Sequence, residues 1–210
     1  TEKDTIKISY IKGYPDGTFR PQGNLTRAEA AVMMARLLNQ GDVTTGSRTT
    51  KFTDANNGWY SQGINYVVEK GLIQGYEDGT FKPNQDITRA EFAKMIAEYV
   101  EGNQKGKSNL KDIEKHWAKE AIEKVYGKEI VKGYPDGTFK PNQKITRAEA
   151  VTILNRAFGR YTNNNSIKDV NITKGHTFSD VKPSDWFYYE VFEAANTHSV
   201  TKSGHWEKIF

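Results

Sequence analysis

Residues 13–30 read GYPDGTFRPQGNLTRAEA. Nearly the same words return at 75–92 as GYEDGTFKPNQDITRAEF and at 133–150 as GYPDGTFKPNQKITRAEA. The Gly-Tyr pairs are spaced by 62 and 58 residues, and Thr26, Thr88 and Thr146 keep those spacings, so the chain is built on a unit of about 60 residues. A second word precedes two of the copies: Phe52, Asp54 and Trp59, then Leu110, Asp112 and Trp117, with the Trp 16 residues ahead of the Gly both times. It occurs a third time at Phe178, Asp180 and Trp186, followed only by TKSGHWEKIF. Calling the Trp word A and the Gly-Tyr word B, the order is B, AB, AB, A. The simplest expectation is three pseudo-repeats displaced by half a unit. Residues 1–39 would be the second half of a repeat completed by 178–210, with full repeats at 51–101 and 109–160.

Apolar positions after each TRAE fall on one helical face: Ala30, Ala31, Met34, Leu37 and Leu38; Phe92, Ala93, Ile96, Tyr99 and Val100; Ala150, Val151, Leu154, Ala157 and Phe158. A shorter stripe follows each Trp, at Ile64, Val67 and Val68, at Ile122, Val125 and Tyr126, and at Val191, Ala194 and Ala195. Pro-Asp-Gly or Glu-Asp-Gly between them predicts a tight turn, and Asp16, Asp78 and Asp136 are read as its makers. The unit is helix, turn-rich loop, helix, giving an all-α expectation. Such pairs cannot enclose a core singly. Three should pack about a pseudo-threefold axis, as a prism with a central three-helix bundle and the Trp-bearing helices inside. The polar stretches NQGDVTTGSRTT, EGNQKGKSN and RYTNNNSIKDVNITKG are read as linkers.

Thr26, Thr88 and Thr146 with Glu29, Glu91 and Glu149 three residues on form capping boxes. Capping leaves Arg27, Arg89 and Arg147 unexplained. A cation at the first helical position opposes the helix dipole, in every copy. A guanidinium beside a helix N-terminus suits an anion, above all a planar carboxylate, although an internal salt bridge would satisfy the same chemistry. Lys12 and Lys132 add charge nearby, where the middle copy has Gln74.

Composition sets the remaining bounds. Of 210 residues, 36% are hydrophobic and 12% aromatic, enough for a packed core, and 30 basic against 26 acidic side chains are interspersed rather than blocked, unlike a nucleic-acid arm or polybasic anchor. Cysteine is absent, which excludes disulfides and thiolate chemistry and fits an exported chain as well as a cytosolic one. No basic-then-apolar leader stands at Thr1, so an export signal is expected on a longer precursor. His116, His176, His198 and His205 have no zinc spacing, and neither a GxSxG elbow nor an EF-hand loop occurs, so no catalytic residue, metal or cofactor is expected.

Phe-x-Asp before a Trp, then GYPDGTF-x-P, then [LI]TRAE, in three copies, resembles the S-layer homology domain of bacterial surface proteins. The half-unit displacement and the ending TFSDVKPSDWFYYEVFEAANTHSVTKSGHWEKIF look like the C-terminal cell-surface anchor of some exported proteins of Gram-positive-type bacteria. The resemblance implies a three-pronged prism whose inter-repeat grooves hold a secondary cell wall polysaccharide, often one carrying a pyruvate ketal on N-acetylmannosamine, with the TRAE arginine on the pyruvate carboxylate. It implies a non-enzymatic, extracellular module at the cell wall or S-layer, monomeric when isolated, with neither nucleic acid nor membrane insertion among its partners. The alternative is a protein-protein assembly module of an S-layer lattice. Carried over by position, the ligand-facing set is Arg27, Arg89 and Arg147; Gly13, Gly75 and Gly133; Tyr14, Tyr76 and Tyr134; Asp54, Asp112 and Asp180; and Trp59, Trp117 and Trp186. The three Asp residues serve equally well as N-caps or turn formers. Core packing is the commoner reason for tryptophans at equivalent helical positions. The last A half has one extra residue between Asp180 and Trp186, which puts one groove in doubt.

Overall fold

A computed structural model describes residues 5–102 and 108–210, so residues 103–107 of the second linker lie outside it. Among the described residues the chain forms six α-helices, α1 (Arg27–Asn39), α2 (Ser61–Glu69), α3 (Arg89–Tyr99), α4 (Lys119–Gly127), α5 (Arg147–Ala157) and α6 (Tyr188–Ala195), with strands β1 (Thr5–Lys7), β2 (His198–Val200) and β3 (Trp206–Ile209). The fold is mainly helical rather than all-α. The strands make one antiparallel sheet in the order β1-β2-β3, with Ile6 opposite Ser199 and Val200 opposite Trp206 across a register shift. The tail TKSGHWEKIF, which lacks a B word, is a turn and an edge strand. Gly204 at φ +81° supplies the turn, and Thr201 N–H donates to His205 O at 2.9 Å.

Two compact units are present. The first comprises the chain up to Gly23, Arg36–Gly41 and Thr146–Phe210. Within it α5 packs on α6, and Phe192 of α6 stacks on Trp206 of β3 with centroids 5.3 Å apart. Ile167 completes that cluster. The third "linker" therefore contributes core through Ile167 and Val170, whose isolated positions among polar neighbours carry no helical or strand period.

The second unit comprises Asn24–Ala35 and Asp42–Ile145. Here α3 packs on α4, and α2 approaches α1 through Gly63, where a Cβ would meet Val32 Cγ2 at 3.0 Å. The three [LI]T words meet in a closed ring of backbone hydrogen bonds: Leu25 N–H to Ile145 O (3.2 Å), Ile145 N–H to Ile87 O (3.1 Å) and Ile87 N–H to Leu25 O (2.8 Å). All three side chains are fully buried. Such a ring closes only with three copies.

Burial departs from the expected layering. Over Ala30–Ala35 every residue of α1 is buried, as is Ala150–Asn155 of α5, while α3 exposes Lys94 and Glu98. Of the Trp-bearing helices α2 and α4 are amphipathic, with Ile64, Val67, Ile122 and Val125 inward, whereas α6 is mostly buried. Trp59, Trp117 and Trp186 are 62, 65 and 62% exposed. The preference for core tryptophans is overturned, because each stands just ahead of its helix, outside the buried stripe.

Candidate functional site

The capping boxes at Thr88 and Thr26 form in both directions, and Thr146 caps α5 by accepting from Glu149 N–H. Glu91 N–H donates to Thr88 Oγ1 at 3.1 Å and Thr88 N–H to Glu91 Oε1 at 3.3 Å, and Glu29 and Glu149 N–H reach Thr26 and Thr146 likewise at 3.1 and 3.2 Å. The next two donors are also taken. Arg27 and Ala28 N–H bind Gln85 and Pro83 carbonyls, Arg89 and Ala90 bind those of Gln143 and Pro141, and Arg147 and Ala148 those of Gly23 and Pro21, all at 2.8–3.0 Å. The N–H groups of the first three residues of each TRAE helix are thus committed within the protein.

Arg27, Arg89 and Arg147 are buried, at 3, 5 and 7% exposure. Each Nε donates at 2.8 Å to the carbonyl oxygen of the Phe in another copy's turn: Phe81, Phe139 and Phe19 respectively. Arg27 thus serves the second copy, Arg89 the third and Arg147 the first. Each guanidinium also lies over the tyrosine of that turn, 4.7 Å from the Tyr76 centroid and 4.8 Å from those of Tyr134 and Tyr14. Arg27 adds Nη1 to Glu91 Oε2 at 2.6 Å and Nη2 to the Gln74 carbonyl at 2.8 Å. Three of its five N–H donors are committed to protein acceptors. Burial pulls Arg89 below the ordinary arginine value, opposed by Tyr134 and Asp112.

Asp54, Asp112 and Asp180 each clamp two successive backbone N–H groups with their two carboxylate oxygens: Phe81 and Lys82 (2.8 and 2.9 Å), Phe139 and Lys140 (both 2.8 Å), Phe19 and Arg20 (both 2.8 Å). The second residue of each pair stands at positive φ, +55°, +56° and +58° for Lys82, Lys140 and Arg20, a costly conformation for a side chain preceding proline. The strain turns both N–H groups toward one anion, here the protein's own Asp. Asp16, Asp78 and Asp136 make the turn, each accepting from the Thr two residues on. These hydroxyl and backbone hydrogen bonds hold their carboxyls below the ordinary value.

Gly13, Gly75 and Gly133 have a packing reason to lack a side chain. A Cβ would sit 2.3, 2.2 and 2.6 Å from the side chains of Phe178, Phe52 and Leu110. Tyr14, Tyr76 and Tyr134 are partly exposed. Besides the TRAE arginine, each carries a second cation: Arg20 at 3.7 Å, Lys82 and Lys140 at 4.1 Å. Sequence reasoning missed these three cations. Their signal was the basic residue before the Pro in every copy.

Within the second unit Arg27 and Tyr76 open on a cleft of about 550 Å³, also lined by Leu72, Gln74, Glu91, Lys94, Trp117 and Asn142. That volume lies in the range of small-molecule sites, roughly 300–1,000 Å³. It joins a cation, an aromatic platform, an exposed indole and several hydrogen-bonding groups, a composition that suits an anionic sugar.

Comparison with known proteins agrees with the repeat and its words. The S-layer homology domain pattern matches residues 9–31, 51–93 and 109–151. A cellulosome-anchoring protein of Acetivibrio thermocellus is 40% identical over 198 residues, 90% of this chain and 42% of its own length. Cell surface glycoprotein 1 of the same organism is 39% identical over 215 residues, 96% of this chain and 9% of its own. S-layer protein EA1 of Bacillus anthracis is 30% identical over 174 residues, 78% of this chain and 20% of its own. The chain spans less than half the length of each. With three matched segments falling on the very words that build the turns, the arginine contacts and the backbone ring, the chain belongs to the S-layer homology domain family.

Proposed function

We propose that this chain is a non-catalytic anchor that holds a larger exported protein at the bacterial cell wall or S-layer by binding a secondary cell wall polysaccharide. The ligand is proposed to carry a pyruvate ketal on N-acetylmannosamine, with the ketal carboxylate on the TRAE arginine. The observation that carries this reading is the Arg27 cleft, where a buried guanidinium fixed by Phe81 O and Gln74 O lies beside Tyr76 and an exposed Trp117. Pre-positioned charge and an aromatic platform are what carboxylate and sugar ring each require. Relatives described as cellulosome-anchoring and S-layer proteins support cell-surface attachment. No described helix is long and apolar enough to cross a membrane. The half-unit displacement belongs to the same proposal: residues 178–210 supply the first half of the repeat whose second half is 1–39, supported by Asp180 on Phe19 and Arg20 N–H.

Co-sedimentation with cell-wall sacculi tests the reading. The chain is expected to pellet with native sacculi and remain in solution with sacculi stripped of secondary polymer by hydrofluoric acid. A Trp59→Ala, Trp117→Ala, Trp186→Ala variant, altered only at exposed positions, should fold and bind more weakly. Equal pelleting with stripped walls would remove the polysaccharide reading in favour of protein assembly.

A further inference from the structure

Residues 56–58 read Asn-Asn-Gly, directly ahead of the exposed Trp59, and Asn57–Gly58 is the one Asn-Gly step among the 210 residues. The local fold calls for both members of the pair. Asn57 stands at φ +58°, a region that asparagine tolerates better than most residues with a side chain. Gly58 lies against the Tyr60 ring, where a Cβ would meet Cζ at 2.5 Å. The other A words have Lys115–His116 and Ser184–Asp185 at these places.

An Asn-Gly step is chemically labile, because a glycine leaves its backbone nitrogen unshielded toward the neighbouring side-chain amide. Asn56 and Asn57 are both exposed, but their amides differ. Asn56 accepts from Thr50 N–H at 2.6 Å through Oδ1 and donates to Phe52 O at 3.0 Å through Nδ2. The Asn57 amide has no hydrogen-bond partner among the described residues. The Asp-Gly turns share the glycine but not the free electrophile. Asp16, Asp78 and Asp136 each accept from a Thr hydroxyl and N–H, bonds that favour the carboxylate, which resists attack. What opposes the reaction at Asn57 is the fixed peptide plane that follows it. Gly58 N–H donates to Ser61 Oγ at 2.9 Å, and the fully buried Ser61 hydroxyl donates to Ala55 O at 2.6 Å. Arg48 Nη2 holds the carbonyls of Asn57 and Gly58 at 3.0 and 3.2 Å.

We propose that Asn57 is a site of spontaneous deamidation, in which the Gly58 backbone nitrogen attacks Asn57 Cγ and the Ser61 hydroxyl slows the step by holding the Gly58 N–H. Hydroxide removes that proton, the N–Cγ bond forms, the Cγ–Nδ2 bond breaks, and Nδ2 takes a proton from water and leaves as ammonia. Water then opens the cyclic imide at either carbonyl, leaving an aspartyl or an isoaspartyl residue. Either product adds a negative charge two residues before Trp59. The isoaspartyl form also adds a backbone methylene between Trp59 and Asp54, whose carboxylate holds Phe81 and Lys82 N–H. The reaction is independent of what the chain binds.

The test incubates the full chain at mildly alkaline pH, folded and in urea, beside folded Ser61→Ala and Asn57→Gln. Peptide mapping by mass spectrometry and labelling by isoaspartyl methyltransferase report the products. In the folded wild type Asn57 is expected to convert ahead of the other asparagines, and the isoaspartyl label at this position should be missing from Asn57→Gln. Ser61→Ala should convert about two- to tenfold faster, the weight of one net hydrogen bond. The urea-unfolded chain should be faster still. Should Ser61→Ala fail to fold, folded against unfolded wild type carries the comparison. Equal rates in folded wild type and folded Ser61→Ala, or in folded and unfolded wild type, overturn the restraint by Ser61. A folded chain that converts at other asparagines and not at Asn57 overturns the site itself.

Discussion

Asp54 and Arg27 show how one residue type is forced by its surroundings. Asp54 binds two adjacent N–H groups, one from a residue at positive φ, and a strained turn persists only while that anion is present. Asp54→Ala is expected to cost about 2–4 kcal/mol in urea denaturation, from two charge-assisted hydrogen bonds and release of the strain. Arg27→Ala should cost about 3 kcal/mol, since it strands Glu91 and two carbonyls. Trp117→Ala should change stability by under about 0.5 kcal/mol. Equal stability of the two charge variants with the wild type would contradict the structural roles described. Local rules applied to the sequence did single out the arginines, because a cation at a helix start is a misfit readable from neighbours alone. That their Nε would bind a Phe carbonyl about 50 residues away, or 128 away for Arg147, was not readable, since no pattern in one copy marks a contact with another.

Among elements, helices and turns were legible and strands were not. Period, caps and Asp-Gly turns are local, and α1 to α6 form where they predict. The sheet joins Thr5–Lys7 to segments some 190 residues on, and strands of three or four residues carry too little alternation to be recognised. Glycines that look alike in sequence separate here. Gly79→Ala is expected to cost about 1 kcal/mol for its φ of +80° in open space, whereas Gly75→Ala should cost more, at least about 2 kcal/mol, because its Cβ would meet the Phe52 ring at 2.2 Å and Thr80 O at 2.7 Å. Thermal melts of the pair check this, and an equal cost would contradict the packing argument.

The contact of α6 with β2 carries a charge cluster. Burial alone would push Glu193 up, but His198, Arg160 and Thr162 outweigh it and hold the carboxyl at about 2. Arg160 Nε donates to Glu193 Oε1 at 2.8 Å. His198 Nε2 stands 3.2 Å from Oε2, at ion-pair distance without hydrogen-bond alignment, while its ring stacks on Trp206 at 3.5 Å. A carboxyl whose folded value is depressed contributes stability that is complete above its unfolded value and lost as pH falls through the folded one. Wild type should therefore lose stability relative to Glu193→Gln between about pH 4.5 and pH 2. Parallel acid limbs in melts of the two proteins would contradict this.

For the whole molecule, repetition connects fold to function. The arginine of the first copy serves the turn of the second, that of the second the third and that of the third the first, while Asp180 serves the first turn from the far end of the chain. Asp180→Ala should accordingly cost as much as Asp54→Ala, and a negligible cost would contradict the proposal that 178–210 complete the first repeat. A single cleft holding a carboxylate by a few charge-assisted bonds, each worth about 1.5–3 kcal/mol, binds modestly. Under the proposed anchor function, engagement of equivalent sites in other copies on one polymer would raise affinity without new contacts. Triplication was readable because words recur, whereas the ligand entered through family resemblance, since no spacing of residues spells a sugar.

The most direct measurement is calorimetric binding of the chain to purified wall polysaccharide before and after mild-acid removal of its pyruvate ketals. The account predicts that removal abolishes or greatly weakens binding, by tenfold or more, since each lost charge-assisted contact removes about 1.5–3 kcal/mol. Undiminished binding to the ketal-free polymer would contradict it.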